Sequence, residues 1–131
     1  MARGAVLRAL DGEPLEVALL QVRDPALPSA GGPPPADGHR YVAVELRISN
    51  AGEGPYQDTP ANGAALRDTA GGEWIAGLDD PVTPGLGSLD VGPGESRAGW
   101  LTFEIPAGVT LVTLRFAADG GFGGAATWRL R

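Results

Sequence analysis

The most regular hydrophobic pattern in the chain lies between Arg40 and Asn50. Apolar side chains occupy every second position of this segment, and the positions between them are largely polar; the apolar set is Val42, Val44, Leu46 and Ile48. A period of two places successive side chains on opposite faces of an extended strand. The segment therefore predicts a central β-strand that has one face in a hydrophobic core and ends at the turn Asn50-Ala51-Gly52.

Similar short runs recur along the chain, separated by turns that contain Gly and Pro. The other predicted strands are Val6–Leu10, Leu15–Val22, Ala64–Asp68, Glu73–Ala76, Arg97–Ile105, Val112–Phe116 and Ala126–Leu130. We find no convincing helix. Many short strands joined by such turns are typical of a sandwich or barrel, so we predict a two-sheet sandwich of seven or eight strands. The expected inward residues are Val42, Val44, Leu46, Ile48, Leu101, Phe103, Ile105, Val112, Leu114, Phe116 and Trp128.

Three segments depart from this regularity. The apolar parity of Leu15–Val22 changes at Leu20, which predicts a β-bulge or a stretch buried on both faces. The proline-rich segment Asp24–Gly38 has no strand pattern, and we predict a crossover between the sheets there. Gly77–Asp90 is predicted to be a long loop.

Composition favours one folded domain over residues 1–131 and narrows the classes of partner. The 21 Gly and 12 Pro lie between apolar runs, where they suit turns better than disorder. The absence of Cys excludes disulfides and thiolate metal sites. A net charge of −6 disfavours nucleic acid and anionic membrane surfaces, because both require a basic patch. No apolar run is long enough to span a membrane.

Three phrases carry a resemblance to a known family. They are Gly38-His39-Arg40-Tyr41-Val42-Ala43-Val44, then Ile48-Ser49-Asn50-Ala51-Gly52, and Val91-Gly92-Pro93-Gly94-Glu95 followed by Gly99-Trp100-Leu101-Thr102-Phe103-Glu104-Ile105-Pro106. From about Leu15 to Leu130 the chain resembles an uncharacterised family of immunoglobulin-like domains. These domains occur in secreted proteins and lipoproteins of Gram-positive bacteria, actinobacteria especially, and are related to a secreted mycobacterial antigen. The resemblance implies an immunoglobulin-like β-sandwich and a setting outside the cytoplasm, and it brings no catalytic residues.

Catalytic chemistry has little support in the sequence. A nucleophilic triad needs a base beside a Ser. The single His of the chain is His39, and the sequence contains no G-x-S-x-G motif whose Ser it could activate. The Gly-rich stretch from Gly121 lacks the helix that a dinucleotide site would need after it. We therefore predict no enzyme activity and no cofactor. A small hydrolase remains an improbable alternative.

The acidic and aromatic residues of the middle of the chain are the candidate binding residues. Asp79 and Asp80 lie in the predicted long loop and Asp90 at its end, which gives it a charge that suits a cation or a basic partner. A calcium site on these acids, with Asp58 as a neighbour, is a less favoured alternative. Trp74 and Trp100 are expected near the loop. Trp100 has the parity of an outward residue, so it either faces out or lies beneath a loop; with Tyr56 and Phe122 these rings could form an exposed aromatic patch.

The function predicted from these observations is a non-catalytic interaction or accessory module of the bacterial cell envelope. Its partner is expected to be a protein or carbohydrate of the envelope. The alternative is a structural or spacer domain of a larger surface protein, in which the long loop only connects the sheets. We expect a secreted or cell-surface location with a cytoplasmic one left open, since the start Met1-Ala2-Arg3-Gly4 is not typical of a signal peptide.

Overall fold

The computed structural model describes residues 3–130. Met1 and Ala2, which belong to the start quoted above, and Arg131 lie outside the described residues. The predicted domain, 1–131, includes these three end residues. Within this range the chain forms ten β-strands and two short 3₁₀ helices. None of the described helices has the length and apolar character needed to cross a membrane. The predicted all-β class is confirmed.

The strands have the following bounds: β1 Arg3–Arg8, β2 Pro14–Ala26, β3 His39–Asn50, β4 Tyr56–Asp58, β5 Ala64–Asp68, β6 Glu73–Ile75, β7 Leu89–Val91, β8 Ser96–Pro106, β9 Leu111–Ala117 and β10 Ala125–Arg129. The 3₁₀ helices are Pro60–Gly63, between β4 and β5, and Asp119–Gly121, between β9 and β10.

The strands form two four-stranded sheets and one small pair. The first sheet has the order β1-β2-β3-β8, the second has the order β10-β9-β5-β6, and β4 pairs with β7. In an immunoglobulin sandwich, strands A, B and E share one sheet and strands C, F and G share the other. Here β2, β3 and β8 correspond to strands A, B and E, and β5, β9 and β10 correspond to strands C, F and G. The arrangement is therefore immunoglobulin-like.

Strand β3 is the centre of the first sheet. It pairs antiparallel with β8 in an unbroken register from His39↔Pro106 to Ser49↔Ser96, and with β2 on its other side. Its predicted inward residues Val42, Val44, Leu46 and Ile48 are fully buried, and they share one core cluster with Leu114, Phe116 and Trp128 of the second sheet. The two inner faces therefore supply the core as the period-two pattern predicts.

The parity change predicted at Leu20 is a β-bulge. Leu19 pairs with Leu46 and Gln21 pairs with Glu45, so Leu20 has no opposite residue on β3. An extra residue of this kind reverses the face to which the following side chains point.

The inward assignment of Val112 is wrong. Val112 is 38% exposed, and Leu111 is buried in its place. Arg67 of β5 pairs with Thr113 and Asp68 pairs with Leu111, so Val112 is an extra residue in the β9 ladder. The irregularity breaks the alternation that the sequence pattern assumes.

The crossover predicted for Asp24–Gly38 is also wrong, because this segment joins β2 to β3, which are neighbours in the same sheet. Strand β2 continues to Ala26 through Pro25. The register with β3 shifts between Arg23 and Ala26, so Pro25 has no partner in the ladder. A proline at such an irregularity costs no ladder hydrogen bond.

Strands β4 and β7 are the two that the sequence pattern did not predict. Each has only three residues, and they pair from Tyr56↔Val91 to Asp58↔Leu89. Three residues are too few to show a period. Asn50, which is buried at the end of β3, donates from Nδ2 to the Val91 carbonyl at 2.8 Å and so fixes this pair to the first sheet.

The open edges of the two sheets meet at β1 and β10. The indole Nε1 of Trp128 donates to the Arg3 carbonyl at 3.2 Å, and the Gly124 amide donates to the Arg8 carbonyl at 2.7 Å. These contacts cover edges that would otherwise offer free backbone groups to another strand.

Replacement of Leu46 by Ala should lower the free energy of unfolding by about 2–5 kcal/mol, because it leaves a cavity in the centre of the core. Val112→Ala is the matched control: the side chain is partly exposed, and its truncation should change stability by roughly 0.5 kcal/mol or less. Urea unfolding followed by circular dichroism measures both. An equal loss in the two variants would contradict the inward and outward assignments given above.

Candidate functional site

The outer face of the first sheet carries a second, smaller hydrophobic cluster. Its members are Ala26, Tyr41, Ala43, Val82 and Trp100, all buried. Tyr41, Ala43 and Trp100 have the parity that points away from the main core. Of the two positions expected for Trp100, the structure has the one beneath a loop, with only 3% of the residue exposed. We call these five residues the outer cluster.

The segment 77–88 between β6 and β7 covers the outer cluster, and we call it the strap. It runs along the free edge of β8: the Trp100 amide donates to the Pro84 carbonyl at 2.9 Å, and the Leu86 amide donates to the Trp100 carbonyl at 3.1 Å. At the start of the strap, the Gly77 amide donates to the Thr102 carbonyl at 3.0 Å. The predicted long loop is therefore docked on the edge of β8 at Gly77 and again from Pro84 to Leu86.

Two glycines allow this close approach. A Cβ on Gly99 of β8 would lie 3.0 Å from backbone atoms of the strap, and a Cβ on Gly85 would lie 2.1 Å from Cγ of Asp80. A side chain at Gly99 would push the strap away from β8, and a side chain at Gly85 would displace the Asp80 side chain that turns back against it.

A second loop, residues 27–38 between β2 and β3, is bonded to the strap through Ser29. The Ser29 amide donates to the Pro81 carbonyl at 2.8 Å, and Ser29 Oγ accepts from the Thr83 amide at 3.0 Å. The Tyr41 hydroxyl donates to the Pro33 carbonyl at 3.2 Å. Because both loops are tied to each other and to the sheet, the space between them is formed before any ligand binds.

That space is a cleft of about 540 Å³, which we call the loop cleft. It is lined by Ser29, Ala30, Gly31, Gly32, Pro33, Tyr41, Asp79, Asp80, Pro81 and Thr83. Its volume is within the range of small-molecule sites, roughly 300–1,000 Å³. Two carboxylates lie among mainly small and apolar groups, an arrangement that suits a ligand with a positive charge.

Burial alters the acid–base properties of the loop cleft. The pKa of Asp80 is raised, first because burial disfavours its charged form and second because Asp79 is negatively charged. The pKa of Tyr41 is raised by burial and by the charges of Glu104 and Asp79. A positive group in the cleft would relieve the repulsion between the two carboxylates.

The structure does not bring all five candidate residues together. Asp79 and Asp80 line the loop cleft, and Trp100 lies beneath the strap. Trp74 is a half-buried residue of β6 that packs against the main core, and Asp90 is exposed on β7 opposite Gln57. Neither of these two residues lines the cleft.

The exposed aromatic patch expected from Trp74, Trp100, Tyr56 and Phe122 does not form. Trp100 and Tyr56 are buried, Trp74 is half-buried, and Phe122 is 82% exposed, so the four rings do not share one exposed surface. The outward parity of Trp100 is correct, but the outward face of β8 is covered, so the ring does not reach solvent.

The calcium alternative finds no support in the part of the chain that the structure describes, where no three acidic or His side chains lie close enough to hold a metal ion. Asp58, one of the proposed ligands, accepts from the backbone amides of Asp119 and Gly120 at 3.1 Å and from the Tyr56 hydroxyl. Its carboxylate thus has a structural role, and the pKa of Tyr56 is raised first by burial and second by the hydrogen bond to Asp58.

His39 is exposed at the start of β3, and its Nδ1 lies 3.0 Å from the Asp37 carbonyl oxygen. The contact joins the side chain to a neighbouring turn.

Sequence reasoning missed Ser29, Thr83 and Tyr41 as cleft residues. A signal for Tyr41 was present: it and Trp100 are large aromatic residues at outward positions of adjacent strands, which indicates a covered outer face. Ser29 and Thr83 gave no signal, because a single hydroxyl in a loop has no period and no motif.

The fold and its ten strands define the class of this protein as an immunoglobulin-like β-sandwich. Residues 12–127 match the family described as a domain of unknown function (DUF4352), and the chain belongs to that family. The resemblance drawn from the sequence is confirmed. No curated protein matches the sequence significantly.

Three solved structures share the fold at low sequence identity. A predicted lipoprotein of Bacillus subtilis, YcdA, has a TM-score of 0.69 and 15% identity over 98% of this chain. The secreted Mycobacterium tuberculosis protein MPT63 has a TM-score of 0.67 and 11% identity, covering 97% of this chain and 92% of its own. An uncharacterised β-sandwich protein of Clostridium difficile has a TM-score of 0.54 and 12% identity, covering 89% and 85%. The chain spans only 38% of the B. subtilis lipoprotein.

Asp80→Asn should raise the melting temperature at neutral pH. The raised pKa of Asp80 means that its charged form opposes folding, so stability increases as pH falls and the group becomes protonated. The gain from the substitution should therefore shrink as pH falls through the raised pKa of Asp80 and vanish below about pH 4, the ordinary pKa of a carboxyl group. Thermal melts between pH 3 and pH 8 measure it, with the exposed Asp90→Asn as control. A decrease in melting temperature at pH 7 would refute the assignment.

Asp68→Asn should have the opposite effect. The pKa of Asp68 is lowered by hydrogen bonds from Trp74 Nε1 and from the Gly72 and Ala70 amides. Its stabilising contribution is present above about pH 4 and is lost as pH falls through the lower pKa of the folded state. The variant should melt at a lower temperature than the wild type at pH 7, and the difference should diminish in acid.

Trp74→Phe tests how much of the lowered pKa of Asp68 is due to the hydrogen bond from the indole. It removes the largest contribution to the shift and keeps an aromatic ring, so the pKa of Asp68 should rise towards its ordinary value. Carboxyl titration by NMR follows the change, and an unaltered Asp68 titration would show that the indole hydrogen bond is unimportant.

Proposed function

We propose that this domain is a non-catalytic interaction module of the bacterial cell envelope and that the loop cleft is its binding site. The observation that carries the proposal is the pre-formed cleft of about 540 Å³ between two loops bonded to each other. Loops held by a rigid sandwich are the usual recognition elements of this architecture. A secreted or surface-attached location is supported by the descriptions of MPT63 as a secreted protein and of YcdA as a predicted lipoprotein.

The chemistry of the loop cleft favours a partner that presents a basic group. Asp79 and Asp80 have no ion-pair partner among the described residues. The apolar lining contributed by Ala30, Pro33 and Pro81 suits the aliphatic part of an arginine or amine-bearing side chain. An envelope protein with an exposed basic side chain, or an amine-bearing envelope carbohydrate, satisfies these requirements.

A spacer domain is the second candidate function. It is favoured by one observation: the fold makes up only 38% of YcdA, so a domain of this shape occurs as part of a longer protein. On this account the strap only connects β6 of the second sheet to β7 of the small pair, and the cleft between the loops has no ligand.

Titration of the ¹⁵N-labelled chain with the blocked tripeptide Ac-Gly-Arg-Gly-NH₂ tests the proposal. We expect saturating amide shifts at the non-proline residues of 29–33 and 79–83, and no such shifts with Ac-Gly-Gln-Gly-NH₂. The double variant Asp79→Asn/Asp80→Asn should lose the response, since it removes both charges from the cleft.

Asp90→Asn is the matched control, because it removes one exposed carboxylate outside the loop cleft and should leave the response intact. Thermal melts confirm that each variant is folded. A wild-type spectrum indifferent to the arginine peptide would favour the spacer account. Loss of the response in Asp90→Asn as complete as in the double variant would also favour the spacer account.

A further inference from the structure

The outer face of the second sheet has an unexpected concentration of arginine. Arg67 on β5, Arg115 on β9 and Arg129 on β10 are all exposed. Each follows an inward residue of its strand: Leu66, Leu114 and Trp128 are buried. The alternation of the strands therefore places the three guanidinium groups on the same face.

The strand register makes these side chains neighbours. Thr113 of β9 lies opposite Arg67 on one side and Arg129 on the other. Arg115, two residues along β9, lies opposite Thr127. Adjacent strands are roughly 4.8 Å apart, so the long arginine side chains can reach a common region above Thr113.

This region is a shallow depression of about 370 Å³, which we call the arginine groove. It is lined by Ala65, Arg67, Glu73, Thr113, Arg115 and Thr127. Two guanidinium groups and two hydroxyl groups thus line one site, in a chain that has 16 acidic and 10 basic residues.

The positive charge of the arginine groove is incompletely neutralised. Glu73 is the one acidic residue of the lining, and it lies 3.6 Å from Arg67 with both side chains more than half exposed. Such an exposed pair is weak. Within residues 3–130, neither Arg115 nor Arg129 forms an ion pair with a carboxylate.

We propose that the arginine groove is an anion site for a phosphate group. Guanidinium groups donate in a planar fork that matches phosphate oxygens, and hydroxyl groups add further donors. A carboxylate has two oxygens, which a single arginine satisfies, whereas a phosphate has more oxygens and accepts from several donors at once. The convergence of Arg67, Arg115 and two threonines therefore favours phosphate.

The net charge of −6 limits the kind of phosphate ligand. A long polyanion would be repelled by the rest of the surface, whereas a single phosphate monoester or lipid headgroup interacts mainly with the groove. The site is independent of the loop cleft, which lies on the outer face of the other sheet, so each can be tested without the other.

Glycerol 3-phosphate is the soluble probe, titrated into the ¹⁵N-labelled chain at low ionic strength. We expect saturable shifts at residues 65–67, 113–115 and 127, weakened by added salt. Arg115→Gln should weaken binding about tenfold or more, the usual effect of losing charge-assisted hydrogen bonds. Arg47→Gln is the matched control, since Arg47 is an exposed strand arginine of the other sheet.

Glu73→Gln gives a test in the opposite direction. It removes the carboxylate that competes for Arg67 and should tighten binding of glycerol 3-phosphate, with no loss of fold at an exposed position. A merely non-specific attraction to the surface would change equally for Arg115→Gln and Arg47→Gln, and that outcome would overturn the proposal.

Vesicles distinguish the two sources of phosphate. Co-sedimentation with phosphatidylglycerol vesicles but not with phosphatidylcholine vesicles, abolished by Arg115→Gln, identifies a lipid headgroup as the ligand. A response to glycerol 3-phosphate without co-sedimentation identifies a soluble phosphate. The absence of both responses, or tighter binding of succinate than of glycerol 3-phosphate, would show the proposal to be wrong.

Discussion

Burial of the Trp100 indole on the outer face of β8 is the interaction on which the loop cleft depends. A buried tryptophan removes about 150–250 Å² from water, which corresponds to roughly 4–6 kcal/mol before the entropy of ordering is subtracted. Here the strap and the Arg23 guanidinium, which lies 4.5 Å from the centre of the indole ring, supply the covering, and the strap backbone pairs with Trp100 at both the amide and the carbonyl. The docked strap then holds Ser29 and Thr83 together, and the cleft follows from that contact.

The same docking creates a local electrostatic cost. Asp80 is folded back against Gly85, and Asp79 is next to it, so two negative charges lie close together where water is partly excluded. Neutral side chains at positions 79 and 80 would allow the strap to pack on the sheet without this electrostatic cost. Groups whose pKa is shifted against folding are frequently found at binding sites, where a partner supplies the missing interaction.

The two proposed sites lie on opposite outer faces of the sandwich and have opposite charge. Asp79 and Asp80 line the loop cleft, and Arg67 and Arg115 line the arginine groove. The core of buried aliphatic and aromatic residues separates them, so ligands at the two sites would not compete for space. A domain of this kind is suited to hold a basic partner on one side and a phosphate-bearing partner on the other.

By itself the sequence determined the class of fold, the long strands, the inner face of β3 and the bulge at Leu20, because period-two alternation is a local property that one buried face imposes on each strand. Only the tertiary structure decided what depends on contacts between distant segments. Val112 is an extra residue because of the way β9 pairs with β5. Strands β4 and β7 form by pairing with each other. Trp100 is buried because a segment that follows a strand of the other sheet lies over it. Alternation marks a residue as outward, but only the path of the chain decides whether that outward face is covered.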